Sequence, residues 1–525
     1  MANVAQAMIF FGLWGLSVAY AQTGAQLAAF HSSVDDSGQP YGLYVPKTME
    51  PGRKYPLVIA LHSEESNFRV ALRRTLGLPV RLGEMESADM RNFPPAPDVQ
   101  FLIACPHARG TMGYRGIPER DVYDVLADVE RRFPVDADRV YLTGASMGGA
   151  GALRLALTRP DIWAAVAVIC PTPAPDIERL AINALNLPIR LFQGELDPVV
   201  PAKGTREWHR RLLDAGAPVE YIEYPAVRHN AWDLAYRDRA VLDWFEKHRR
   251  NARPARVRFT SDAYRYSSAY WVRIDSLTPG ASALFDGRLS GATLEVTTLN
   301  LGGFAISIPT PATITIDGKP VRVKSAANTS FTKTPDGWRV GRVSAAGKRP
   351  GAEGPIAEAV SGRHIYVYGP GSADIASRAA VWDRLKLPVK ADTTVTAADL
   401  DSSDVVLFGT AETNRVIAQL AAKLPIALHA GAADYGLVFI APMGSHYALV
   451  NSGLPWWTGA DEARRGGDPF APEPYRLLTT FGDYILFKGS LANVIAEGRF
   501  DRNWKVPPDA AARMLATGTI TINNQ

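Results

Sequence analysis

Ser146 stands where a hydroxyl can be made into a nucleophile. It lies in Gly144-Ala145-Ser146-Met147-Gly148, after the apolar run Val140–Thr143 and before a small-residue stretch that opens with Gly149 and Ala150. Strand, G-x-S-x-G and helix in that order make a tight turn that lifts the hydroxyl above the sheet edge. A serine hydroxyl is a poor nucleophile on its own. It needs a histidine to take its proton and a carboxylate to fix that histidine's tautomer and stabilise the imidazolium. Both follow along the chain: Asp197 in Gln193-Gly194-Glu195-Leu196-Asp197-Pro198, and His229 in Val227-Arg228-His229-Asn230-Ala231-Trp232, each after a short apolar run. Separations of 51 and 32 residues leave room each time for one helix and one strand, which predicts the three residues on successive strand-end loops.

Glu195, two residues before Asp197, competes for the role of acid. Asp197 is preferred because it precedes Pro198 at the loop turn, and Asp233 is too near His229 in sequence to orient it. His31, His209, His248, His364, His429 and His446 have no such context and are expected at the surface or in packing. Attack on a carbonyl also creates an oxyanion, which needs donors. The layout offers the backbone N–H of Met147, just after the nucleophile, and a second N–H from the loop after Tyr55–Leu61, at His62-Ser63. One such donor is typically worth about 10²–10³ in rate. Residues 63–97 and 106–120 would shape the pocket, and His62, Arg109, Tyr114 and Trp232 are candidate lining residues.

Holding these residues requires a sheet. Short apolar runs recur at Tyr55–Leu61, Phe101–Cys105, Val140–Thr143, Ala164–Cys170, Ile189–Gln193 and Val219–Tyr224, apolar on both faces as in parallel strands covered by helices. Helical segments between them, such as Asp121–Phe133 and Gly149–Thr158, complete a doubly wound α/β pattern over residues 27–250, opened by an antiparallel hairpin near Ala28–Ser33 and Tyr41–Pro46. The basic stretch Lys247–Arg258 reads as a solvated helix end and linker. Residues 256–345 then change to period-two alternation, including Thr313–Ile316 before an Asp317-Gly318 turn, and read as a small all-β module. After a Gly/Pro/Lys-rich segment, residues 356–525 read as a second, smaller α/β domain with strands His364–Tyr368 and Val405–Phe408 and helices over 373–385 and 411–423.

Composition bounds the partners. Lys and Arg total 57 against 53 Asp and Glu, an excess of four on 525 residues, too small to suggest nucleic-acid binding. No H-E-x-x-H, P-loop or Cys/His cluster with metal spacing occurs, so neither cofactor nor metal is expected. Gly369-Pro370-Gly371 reads as a plain strand–helix turn. Cys105 and Cys170 each end a strand. With two strands between them they would lie about 14 Å apart, beyond disulfide reach, so both are expected as free, buried thiols. Residues 1–34 carry no Lys, Arg, Asp or Glu; the apolar core Ala7–Val18 and the small residues of Ala19-Tyr20-Ala21 predict a signal peptide cleaved before Gln22, and a secreted or periplasmic protein that leaves the membrane.

With these residues in place, segment 40–250 resembles the α/β-hydrolase superfamily, most closely the secreted esterase branch with polyhydroxybutyrate depolymerases, feruloyl esterases and prolyl-oligopeptidase-like predicted peptidases. The carriers are Val135–Gly149, the Gly194–Asp197 loop and His229-Asn230-Ala231-Trp232. Members of that branch commonly have His-Gly where this chain has His62-Ser63. The resemblance implies a serine hydrolase acting on a small-molecule or polymeric carboxylic ester. Two alternatives stand beside it. One is a prolyl-oligopeptidase-type peptidase, disfavoured by the roughly 25 residues between the signal and the first strand, too few for a substrate-filtering propeller. The other is a polymer-binding or scaffold protein with a vestigial hydrolase domain, for which Tyr270, Trp271, Trp456 and Trp457 offer an aromatic face; their strand and loop settings fit buried packing at least as well.

Overall fold

A computed structural model describes residues 22–64, 66–78, 97–309, 311–324, 328–344, 346–382, 385–460 and 473–523. The signal segment and most of the 63–97 loop lie outside the described residues. Among those described, no helix is long and apolar enough to cross a membrane.

Eight strands form the first sheet: β1 (Gly24–His31), β2 (Gly38–Val45), β3 (Tyr55–Leu61), β4 (Leu102–Pro106), β5 (Val135–Ala145), β6 (Ala165–Ile169), β7 (Ile189–Gly194) and β8 (Val219–Tyr224), in the order β1-β2-β4-β3-β5-β6-β7-β8. The β1–β2 hairpin is antiparallel, β2 pairs antiparallel with β4, and from β4 to β8 every pairing is parallel. Every residue of β3, β4 and β6 is buried, as apolar runs sandwiched between helices must be. Helices α2 (Ile117–Arg132), α3 (Met147–Thr158) and α4 (Ala202–Asp214) pack on one face; α1 (Phe68–Thr75) and the segment 240–245 pack on the other. Helix α2 starts four residues before the predicted Asp121, because Gly116 turns the chain at φ +69° and Pro118 fits a first turn whose N–H groups need no helical partner. Cys105 and Cys170 are free and buried, with β3 and β5 lying between their strands.

Residues 256–340 form two packed five-stranded sheets around Phe259, Trp271, Phe285, Phe304 and Phe331. Asp317 (φ +50°) and Gly318 (φ +77°) form the two-residue turn joining Thr313–Ile316 to Lys319–Val321. The four aromatic residues pack inward and form no polymer-binding face. Trp271, Trp456 and Trp457 are at most 3% exposed, and Tyr270 directs its hydroxyl to the carbonyl of Pro160 at 3.2 Å. These rings contribute more by filling cores than by meeting solvent. Nor is the basic stretch after residue 247 freely solvated. Arg249 pairs with Asp136 at 3.0 Å, Arg250 with Asp138 at 2.9 Å and Arg256 with Asp286 at 2.7 Å, so it is pinned to both units it connects.

The C-terminal unit holds a seven-stranded mixed sheet. His364–Tyr368 and Asp404–Phe408 run parallel to their neighbours, while Tyr435–Met443, Tyr484–Lys488 and Val494–Gly498 pair antiparallel. Its helices are shorter than predicted, at Ala373–Ala379 and Arg415–Leu420; Asn414 caps the latter by accepting from the amides of Val416 and Ile417. This unit shares a core with the first, for Val34 and Ile117 pack among Ile356, Val360 and Tyr366. Arg363 reaches Asp36 at 2.7 Å, Tyr266 donates to Glu119 at 2.6 Å and Arg265 pairs with Glu358 at 3.0 Å, so all three units are joined by polar contacts as well.

His364 is fully buried, its Nδ1 donating to the carbonyl of Gly362 at 2.9 Å while Nε2 has no hydrogen-bond partner among the described residues. Burial pushes this imidazole down to about 4. In the unfolded chain it takes up its proton near pH 6.5. The unfolded state therefore gains the proton first on acidification, and stability present above pH 6.5 is lost between 6.5 and 4. A His364→Phe variant lacks that loss, so its stability relative to wild type should rise by about 3 kcal/mol between pH 7 and pH 4. Chemical denaturation of both proteins at the two pH values checks this.

Candidate active site

Three loops at the carboxyl ends of β5, β7 and β8 converge above the sheet. Ser146 occupies the turn between β5 and α3 with φ +55° and ψ −117°, a conformation that a residue with a Cβ rarely adopts. It persists because its surroundings leave no other path. A Cβ on Gly148 would lie 2.4 Å from the carbonyl oxygen of Leu61, and one on Gly144 would lie 2.2 Å from that of Gly148. Both glycines are required by close backbone approach, and together they press the turn against the end of β3. The Ser146 N–H donates to Ile169 O at 3.0 Å, tying the turn to β6 as well.

His229 Nε2 lies 3.1 Å from Ser146 Oγ, and His229 Nδ1 lies 2.7 Å from Asp197 Oδ2. Since a carboxylate can only accept, Nδ1 carries the hydrogen there, which leaves Nε2 free to accept from the serine. The Asp197 carboxylate is fully buried. It also accepts from the amides of Val199 (2.9 Å) and Val200 (2.8 Å) and from Gln193 Nε2 (3.1 Å). The competing acids face elsewhere. Glu195 accepts from the Ala226 amide at 3.0 Å, and Asp233 accepts from Asn230 at 3.1 Å. The spacing of 51 residues proves to hold α3, β6, a run of 3-10 turns over Pro175–Asn186 and β7, so the Asp197 loop lies two strands from that of Ser146, with Cys170 ending the strand between.

Gln193 is the residue the sequence reading missed. Its side chain is fully buried at the end of β7, where it accepts from Thr205 at 2.7 Å and donates to Val200 O at 3.0 Å while holding Asp197. The signal was present: a glutamine ending an otherwise apolar strand demands buried partners. Cys170 has its Sγ 3.6 Å from His229 O, and donor atoms of Cys170, Asp197 and His229 lie within 4.8 Å of one another. That trio does not fit a metal. Burial pushes the thiol up to about 12, while Asp197 and His229 Nδ1 are committed to each other.

Met147 is the first residue of α3, where a helical N–H has no acceptor within its own helix. Ser63 follows β3 and is 8% exposed. Its N–H belongs to the peptide whose carbonyl, that of His62, accepts the Tyr114 hydroxyl at 3.0 Å. Carbonyl and N–H of a trans peptide point opposite ways, so Tyr114 turns the Ser63 N–H away from the core. Three predicted pocket residues are thereby reassigned. Tyr114 is buried, its ring filling the space beside Gly151, and holds a peptide rather than a substrate. His62 is buried between the carbonyls of Ser63 (2.8 Å) and His107 (3.0 Å). Arg109 is fully buried in ion pairs with Asp35 and Asp121, both at 2.7 Å. A guanidinium is expensive to bury unless paired in this way, so Arg109 lines no pocket. Trp232 does meet a cavity, about 430 Å³ in volume, together with Arg74, Leu78 and Tyr236. Its ring stands edge-on to that of His229 at 5.1 Å, with the Arg74 guanidinium 4.7 Å from it on the other side.

Residues 117–242, which carry Ser146, Asp197 and His229, match the dienelactone hydrolase family. Over that segment the chain is an α/β-hydrolase. Solved structures similar to this hydrolase include a thermostable esterase, 24% identical over 43% of this chain and 63% of that one, with a TM-score of 0.35. A ferulic acid esterase is 19% identical over 43% of this chain and 98% of its own, with a TM-score of 0.34. Substrate-bound fluorophosphonate-binding serine hydrolase F of Staphylococcus aureus is 15% identical over 43% and 99%, with a TM-score of 0.34. This hydrolase spans under two thirds of the length of the thermostable esterase.

If Tyr114 orients the second oxyanion donor, Tyr114→Phe should lower kcat about tenfold with KM little changed, a fraction of the 10²–10³ that losing a donor outright costs. Steady-state kinetics on a p-nitrophenyl ester measures both constants.

Proposed function

We propose that this hydrolase cleaves carboxylic esters through a Ser146–His229–Asp197 triad and an acyl-enzyme. The reading rests on one observation: the unbroken line of hydrogen bonds from Asp197 Oδ2 through the His229 ring to Ser146 Oγ. His229 Nε2 takes the hydroxyl proton as Oγ bonds to the carbonyl carbon. The Met147 and Ser63 amides receive the oxygen that becomes negative, and His229 returns the proton to the departing alcohol. Water, deprotonated by the same imidazole, then bonds to the acyl carbon; the carbon–Oγ bond breaks, the imidazolium returns its proton to Ser146 Oγ, and the acid leaves. Asp197 stays ionised throughout and holds the ring. No cofactor enters this scheme. The family name supports an ester over a peptide, since a lactone is an internal ester. The enzyme acts outside the cytoplasm after removal of residues 1–21, and residues 256–345 and 356–525 are accessory domains.

Pre-steady-state kinetics tests the reading. p-Nitrophenyl butyrate should give a burst of p-nitrophenolate stoichiometric with enzyme, and peptide p-nitroanilides should be turned over far more slowly. Faster cleavage of the anilides would make the protein a peptidase. Inertness of the folded enzyme on both would remove the hydrolytic reading of the triad.

A further inference from the structure

We propose that the β sandwich carries a docking groove for an anionic polysaccharide chain. An open groove of about 1160 Å³ crosses the sheet that contains Val272–Leu277, Leu301–Ile306 and Thr329–Thr334, walled by residues 322–324, 340–344, Arg349 and Pro350. Five cations line it, Arg273, Arg322, Lys324, Arg342 and Arg349, against the single carboxylate of Asp275. That excess equals the net charge of the whole chain, +4. Arg273 is paired with Asp275 at 2.6 Å; the other four have no ion-pair partner among the described residues. Elsewhere in the sandwich Arg256 and Arg258 share Asp286 at 2.7 and 3.4 Å. Unpaired cations gathered on both walls of one groove raise its local potential and favour a ligand carrying repeated negative charge.

Its other groups select the kind of polyanion. Ser268, Ser307, Asn328 and Ser330 offer short hydroxyl and amide partners suited to sugar hydroxyls. Single-stranded nucleic acids are held by aromatic stacking platforms, and the one aromatic ring lining the groove, Tyr270, is turned inward to Pro160. A uronate carboxylate matches a guanidinium in two parallel hydrogen bonds, and an open groove of about 1160 Å³ has room for a segment of a sugar chain. The accessory sandwich thus binds a charged polymer without using aromatic side chains.

Affinity electrophoresis of the full-length mature protein through polygalacturonate, neutral dextran and oligothymidylate tests the proposal. Polygalacturonate should retard the protein and dextran should not. Affinity should fall about 50-fold between 50 and 200 mM NaCl if four cations engage. An Arg322→Glu/Arg342→Glu variant changes exposed side chains only and should bind at least tenfold more weakly. Lys203→Glu/Arg210→Glu, equal in charge change but on the hydrolase domain, should bind as wild type. Fluorophosphonate labelling of Ser146 should be unchanged in both variants, which separates this test from that of the catalytic reading. No retardation, equal loss in the two variants, or tighter binding of oligothymidylate would each overturn the proposal.

Discussion

Ser146→Ala should lose at least about 10⁴-fold in kcat on p-nitrophenyl butyrate, together with all labelling by a fluorophosphonate. The change removes only Oγ. The Cβ already sits in the strained turn, so the variant should fold and melt with wild type. Residual activity above water would come from the oxyanion donors alone. Because the three side chains act as one unit, Ser146→Ala/His229→Ala should be scarcely slower than Ser146→Ala. A single variant retaining a tenth of wild-type turnover would show that another group attacks the ester.

Arg109→Leu should destabilise the protein by about 3–5 kcal/mol, the usual cost of breaking a buried ion pair by removing one partner. The guanidinium joins the β1–β2 turn to α2 through Asp35, Ser32 and Asp121, and neither carboxylate has access to water. Burial pushes Asp121 up to about 6 even with Arg109 beside it. Without the arginine that value rises further. A carboxyl whose folded value lies above its unfolded one contributes stability at low pH that is lost as pH rises, so the deficit should be larger at pH 8 than at pH 5. Thermal melts at the two pH values measure it. KM for small esters should not change below the melting range, since Arg109 faces no cavity.

Much of the site was legible because its chemistry fixes residue types in short, recognisable settings. The glycines around Ser146 are demanded by backbone carbonyls within 2.4 Å of a would-be Cβ, and that demand is visible as G-x-S-x-G. Asp197 follows a mostly apolar strand and His229 a half-buried edge strand that carries Glu220 and Glu223, so their places at strand ends were readable too. The roles of Tyr114, His62 and Arg109 were not. Loop position set them near the catalytic residues, but only packing decides whether a side chain near a site faces it or faces the core. In each case the core won: burying a phenol against Gly151, or a guanidinium between two carboxylates, satisfies polar groups that the neighbouring backbone and acids would otherwise leave unpaired.

Periodicity determined the parallel strands of the first unit and the alternating strands of the second, since burial on two faces or one imposes those patterns directly on sequence. Ser146, His229 and Asp197, the proposed nucleophile, base and acid, were also readable along the chain. Tertiary structure alone decided that Gln193 braces Asp197, that Val34 and Ile117 belong to the C-terminal unit's core, and that Glu119, Arg265 and Glu358 meet where three units join. It likewise decided that four unpaired cations from separate segments face one groove. Those pairings span up to hundreds of residues. No local pattern encodes them, because each side chain's partner is chosen by the folded surface it meets rather than by its neighbours along the chain.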